Sequence, residues 1–282
     1  MKEGVVMTDS IEPTGGMTDY GLIELDGTHN TRDQGGMKTV TGQRVRAKRL
    51  IRSDGLDKLS DNDIHILIDE CDLRTVIDLR TDVEQKAAPD PVDRMPGVKH
   101  VSLPVLSGSA VGLTHEHSLR SLWNEFCKLK GDPMGVICET YPLMLLDETG
   151  IAAYKQLFEI LLAQEQGAVL WHCSEGKDRT GIASMLVLFA LGVPPETIME
   201  DYLATNLFAR QKMKRIARDL EKVHLADKSD EALLALICAH KEYIDAAMDA
   251  LEKEYGSLDA YLTEALDLTP AKRKLLADLY LF

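Results

Sequence analysis

Cys173 and Arg179 are separated by five residues inside the stretch Trp171-His172-Cys173-Ser174-Glu175-Gly176-Lys177-Asp178-Arg179-Thr180-Gly181. A thiol attacks as its thiolate, which needs positive potential nearby. A guanidinium is a planar fork that grips two phosphate oxygens and follows the charge into the transition state. Together the two side chains point to attack on phosphorus. The intervening backbone N–H groups can turn inward as an anion-binding nest if the segment joins a strand to a helix. Ser174, Glu175, Gly176, Lys177, Asp178 and Arg179 are therefore candidate phosphate-binding residues. Gly176 permits the positive φ that a tight cradle needs, and Gly181 permits close helix packing. Thr180 can hydrogen-bond the sulfur, and His172 is read as ordering the loop rather than as a base. The leaving oxygen requires a proton. Asp178 is the nearest candidate acid, and Asp82 is the second, because catalytic groups collect where strands of an α/β sheet end.

A bare cysteine and arginine at this spacing arise often by chance, and a single cysteine is usually a small buried hydrophobe. Here the pair comes with a preceding His, a Gly and a following Thr-Gly, between an apolar run at 167–170 and another at 182–191. The first run reads as a buried strand and the second as a buried helix. Chance accounts poorly for all of this together.

The flanking chain supplies further elements. Strands are expected at 22–25, 50–54, 75–79 and 98–105, and a hairpin at 39–45. Ser60, with Asp63 three residues on, signals a helix start running to about Cys71. Residues 151–162 form an amphipathic helix leading into the strand before Cys173. After Pro194 the pattern is helical, with expected segments at 195–203, 209–223, 230–255, 258–266 and 270–279. The fold class is α/β: a central sheet of short strands flanked by helices, with a helical C-terminal part. Residues 1–18 read as a flexible lead-in and 19–282 as a single domain. The stretch 107–150 is either a lid or specificity insert or a pair of packing helices.

Composition narrows the function. The 282 residues carry a formal charge of −14, which excludes a broad nucleic-acid-binding face but leaves room for a locally positive pocket. The five cysteines (Cys71, Cys127, Cys138, Cys173 and Cys238) are scattered and never form a C-x-x-C pair, against a disulfide framework or a zinc site. No signal-peptide pattern or membrane-length apolar run is present, so the expectation is a cytoplasmic protein without stable membrane insertion, although non-classical secretion would leave no mark.

The stretch matches the signature His-Cys-x5-Arg-Thr of cysteine-dependent phosphatases. Its fuller form, His-Cys-x-x-Gly-Lys-Asp-Arg-Thr-Gly, resembles the bacterial tyrosine phosphatase family typified by mycobacterial PtpB. Residues 30–36, 50–56, 76–81, 201–206 and 255–258 also resemble that family, so the similarity runs from about residue 20 onward. The resemblance implies a phosphatase fold and a metal-free, cofactor-free mechanism through a phosphocysteine on Cys173, with Asp178 as general acid. It further implies helical lid elements, and it associates Lys177 with breadth toward phosphoinositides. Thr31 and Gln34 depart from the family's Phe and Leu. Glu175 puts a carboxylate in the loop, which counts against polyanionic inositides.

The leading reading is a protein-tyrosine phosphatase with a phosphotyrosine protein or peptide as partner. The alternatives are a phosphoinositide or inositol-phosphate phosphatase and, from another class, an inactive phosphate-binding module. Arg32 with Asp33 is expected to form a buried ion pair bracing the loop, and Asp78 to be a structural carboxylate. Arg80 and Lys177 are expected to add positive potential at the pocket mouth. Residues 210–215 read as a solvated face, and Cys127 or Cys138 as a potential oxidative partner of Cys173.

Overall fold

The run from Ala168 to Trp171 is apolar without a break, as a strand buried on both faces requires. In the computed structural model, which describes residues 19–107, 132–222, 235 and 237–282, it lies at the centre of the sheet. The strands are β1 (Arg32–Asp33), β2 (Leu50–Ser53), β3 (Leu73–Asp78), β4 (Lys99–Ser102) and β5 (Ala168–His172). Their order is β1-β2-β5-β3-β4, parallel except for β1, which is an antiparallel edge. Side chains alternate across β5: Val169 and Trp171 join one core, and Ala168 and Leu170 the other. Ser53 and Asp78 both lie in register with His172, so β2, β5 and β3 end along one edge. That edge is where an α/β sheet presents a ligand crevice.

The smaller core sits under α1 (Asp61–His65) and the π-helical turn Ile66–Glu70 that continues it. Ser60 caps α1 and Asp63 reciprocates, as the sequence predicts. The larger core is covered by α3 (Pro133–Leu146), α4 (Glu148–Ala163), α5 (Asp178–Ala190), α6 (Pro195–Lys222), α7 (Lys241–Tyr255), α8 (Leu258–Glu264) and α9 (Pro270–Tyr280). Between β3 and β4 stands the short α2 (Asp82–Ala87).

Several boundaries differ from expectation. Residues 22–25 form only a single bridge, Leu22 to Arg32, because a two-residue edge strand offers no longer ladder. Helix α5 starts at Asp178, about one turn before the apolar run at 182, so Arg179 and Thr180 belong to its first turn. Two expected helices merge into α6, since no Gly or Pro interrupts 203–209. Helix α7 begins at Lys241 rather than at 230. Asn206 holds Ala239 through both its backbone N–H (2.7 Å) and its carbonyl (2.9 Å), and His240 is extended. The lead-in 1–18, most of the 107–150 stretch (108–131), Cys127 and the side chains at 210–215 lie outside the described residues. Among the described residues no helix is long and apolar enough to cross a membrane.

Candidate active site

Cys173 follows β5 directly and is 1% exposed. The chain then turns through Ser174–Lys177 into α5, whose N-terminus faces the same edge of the sheet. Gly176 sits at φ +63°, and a Cβ there would lie 2.8 Å from Ser53 O and Asp54 N, so only glycine fits against β2. At Gly181 a Cβ would meet the Tyr202 ring at 2.8 Å, which lets α6 pack against the first turn of α5.

Arg179 is fully buried, and its fork is held by a residue that sequence reading passed over. Its two terminal nitrogens donate to the Glu84 carboxylate at 2.6 and 2.9 Å. Ser174 Oγ donates to the same carboxylate at 2.7 Å. Burial alone pushes the Arg179 pKa down, but Glu84, the Cys173 sulfur and Asp178 together hold it above its ordinary value. A signal for Glu84 was present: Thr81-x-x-Glu84 is a capping box directly after β3. Thr81 accepts from Glu84 N, and Glu84 accepts from Thr81 N at 3.0 Å. The box turns the glutamate back toward the strand ends, whereas Asp82, at the first helical position, is exposed. The structure therefore brings Glu84, and not Asp82, to the phosphate loop.

The loop is braced from beneath. Arg52 Nη2 (2.7 Å) and Asn30 Nδ2 (3.0 Å) donate to the Gly176 carbonyl. Asp201 on α6 bridges Arg32 and Arg52, at 2.5 Å to each. Burial raises the Asp201 pKa, yet the two guanidiniums hold it below the usual carboxylate range. Burial lowers Arg32 to about 10 against the pull of Asp201. The expected Arg32–Asp33 pair does not form, because successive strand residues point to opposite faces. Asp33 instead accepts from the N–H groups of Gly35 and Lys48.

Asp178 is buried, and its carboxylate accepts the Tyr141 hydroxyl from α3. The Tyr202 hydroxyl lies 2.7 Å from that of Tyr141. Lys177 Nζ is also buried, 3.4 Å from Asp178 and 3.3 Å from the Cys238 carbonyl, so it does not stand at a pocket mouth. Thr180 Oγ1 donates to the Ser53 carbonyl at 3.5 Å, where a bond to the sulfur was expected. Glu175 is half-buried and lines a cleft of about 120 Å³ with His29, Asp54, Asp57 and Lys58. Burial first, and then Glu175, raises the Asp54 pKa. Cys138 engages the Glu242 carbonyl.

His172 lies beneath the loop, between the Cys173 carbonyl and Asp90. Its Nδ1–H donates to the Cys173 carbonyl at 3.2 Å and its Nε2–H to Asp90 at 2.9 Å. Burial lowers its pKa, but Asp78 and Asp90 overcome that and lift it to about 9. Arg80, expected at the pocket mouth, is 2% exposed and bonds Asp78 (2.7 Å) and Asp90 (2.8 Å). Among the described residues Asp78, Asp90 and His172 are the one cluster with metal-ligand spacing. The Arg80 guanidinium already supplies positive charge there, bonding Asp78 and Asp90, and His172 Nε2 is bonded to Asp90.

The profile of the tyrosine phosphatase family matches residues 23–282. A Cupriavidus necator protein provisionally named a tyrosine-protein phosphatase is 29% identical over 252 residues, covering 89% of this chain and 86% of its own. A Nostoc commune tyrosine-protein phosphatase is 28% identical over 222 residues, covering 77% of this chain and 69% of its own. The Mycobacterium tuberculosis triple specificity protein phosphatase PtpB is 28% identical over 265 residues, covering 86% of this chain and 93% of its own. A match that takes in the sheet, the phosphate loop and the C-terminal helices is more than the match of one motif, and the chain belongs to the tyrosine phosphatase family.

Proposed function

We propose that this tyrosine phosphatase hydrolyses phosphotyrosine in proteins or peptides through a phosphocysteine on Cys173. The Cys173 thiolate attacks phosphorus; the S–P bond forms as the P–O bond to the aryl group breaks, and Asp178 gives its proton to the leaving oxygen. Water then attacks phosphorus, Asp178 takes a proton back, and the S–P bond breaks to release inorganic phosphate and the thiolate. Arg179 and the N–H groups of 174–179 stabilise the equatorial oxygens in both steps. The observation that carries this reading is the Arg179 fork, fixed by Glu84 on the first turn of α5 beside Cys173. We take 19–282 as one phosphatase domain, which the family match over 23–282 supports. We place the enzyme in the cytoplasm, where a reducing thiol pool keeps Cys173 out of disulfides and available to react.

One relative is named for triple specificity, so phosphoinositides are the second reading. The charge beside the loop favours phosphotyrosine: Glu175, Asp54 and Asp57 line the adjoining cleft against His29 and Lys58, and the Lys177 amine is bound inside the protein. The test is kcat/KM on a phosphotyrosine peptide, a phosphoserine peptide and a phosphoinositide at matched concentrations. The peptide phosphotyrosine is expected to lead by about tenfold or more, and a lead by the inositide would overturn the assignment. Cys173→Ser should bind these substrates without turnover. Asp178→Asn should slow esters with poor leaving groups most, by roughly 100-fold; an equal effect on all leaving groups would remove Asp178 as the acid.

A further inference from the structure

Behind the phosphate loop, α5, α6, α7 and α8 border a second, half-open cavity, of about 790 Å³, that the hydrolysis does not use. Its walls are apolar: Met185 and Phe189 from α5, Ile198 and Met199 from α6, and Ile244 and Met248 from α7. The volume lies within the roughly 300–1,000 Å³ of small-ligand sites, which often form between helices. Three of these side chains are methionines, whose flexible thioethers adapt to varied apolar shapes. Tyr202 also lines the cavity, so an occupant would rest one hydrogen bond from Tyr141, the residue that contacts Asp178.

The polar residues around the cavity are unequal in sign. The charged residues that line it are Glu196, Glu200, Asp245, Glu252, Asp259 and Lys241. Lys241 is committed to Asp245 at 2.5 Å, and Asp259 is held by Arg273. Among the described residues, Glu196 and Glu252 enter no ion pair. An apolar chamber whose rim carries two carboxylates outside any ion pair, Glu196 and Glu252, disfavours anionic and neutral chains relative to a cation that carries an apolar body.

We propose that this cavity is a binding site for a cationic amphiphile, an apolar body bearing an amine or ammonium group. The inference is independent of the substrate assignment, because no phosphate-loop residue lines the cavity. Isothermal titration of the full chain with dodecyltrimethylammonium, below its micellar concentration, tests it against dodecyl sulfate and a neutral dodecyl maltoside. One equivalent of the cation is expected to bind at least about tenfold tighter than either control. Met248→Trp should fill the cavity and weaken binding by about tenfold or more while leaving aryl phosphate hydrolysis unchanged, which also reports that the variant is folded. Glu196→Gln combined with Glu252→Gln should erase the preference for the cation. Equal affinity for all three chains, or binding untouched by Met248→Trp, overturns the proposal. So does inhibition of aryl phosphate hydrolysis that excess substrate relieves, since that puts the amphiphile in the phosphate site. Binding of a basic amphipathic peptide without binding of the amphiphile would assign the cavity to a protein partner and would likewise overturn it.

Discussion

At the scale of single residues, Glu84 decides how the Arg179 fork is aimed. Its carboxylate takes two of the five guanidinium N–H donors of Arg179 in charge-assisted bonds and also accepts Ser174 Oγ. Glu84→Gln keeps the shape but loses the charge, so kcat/KM for an aryl phosphate should fall roughly tenfold or more with the circular dichroism spectrum unchanged; an unaltered rate would show that Arg179 holds its place without the carboxylate. Gln34 is the opposite kind of residue. It is fully buried and neither atom of its amide finds a hydrogen-bond partner. The resembled family carries Leu at this place, and Gln34→Leu should stabilise the fold by about 1–3 kcal/mol, read as a higher urea midpoint. Thr31, the other departure, is satisfied: its hydroxyl pairs with Thr28 at 2.6 Å and Ser53 at 2.7 Å.

At the scale of elements, α6 is the brace of the phosphate loop. It places Asp201 against Arg32 of β1 and Arg52 of β2, and Arg52 passes the constraint to the Gly176 carbonyl. A buried pair adds little net stability while it is intact, but removing one partner strands a charge. Asp201→Asn strands two guanidiniums and should cost about 3 kcal/mol or more of unfolding free energy. It should also lower activity through the loosened loop. A urea titration that finds less than about 1 kcal/mol would mean that solvent or neighbouring groups already compensate the two arginines.

At the scale of the whole molecule, stability should depend on pH through the buried charges beneath the loop. His172 titrates at about 9 when folded against 6.5 ordinarily, so the folded state holds its proton more tightly. The stabilisation is complete below about pH 6.5, and it is lost as pH rises through about 9. The loss is on the order of 3 kcal/mol for a shift of this size. Urea unfolding at pH 6, 7.5 and 9 should show it, and His172→Asn should flatten the slope; an equally steep slope in the variant would place the titration elsewhere. The acid side runs the other way. Asp90 and Asp201 are held below the usual carboxylate range despite burial, by His172 and Arg80 around Asp90 and by Arg32 and Arg52 around Asp201, so their contribution is present above about pH 4 and is lost as pH falls through their lowered values.

What the sequence determined by itself is local. The uninterrupted apolar run before His172 fixes a strand buried on two faces, the segment after it must turn into a helix, and Ser60 with Asp63 starts α1; each follows from periodicity and capping within a few residues. The spacing of Cys173 and Arg179 is local too, and with it the type of chemistry. What only the tertiary structure decided is the set of contacts between segments far apart in the chain. Glu84 meets Arg179 across 95 residues, Tyr141 meets Asp178 across 37, and Asp201 meets Arg32 across 169. No period or cap encodes these meetings. They arise because parallel strands end at one edge and the helices crossing that edge must pack there, so the side chains that aim and brace the phosphate loop are set by topology.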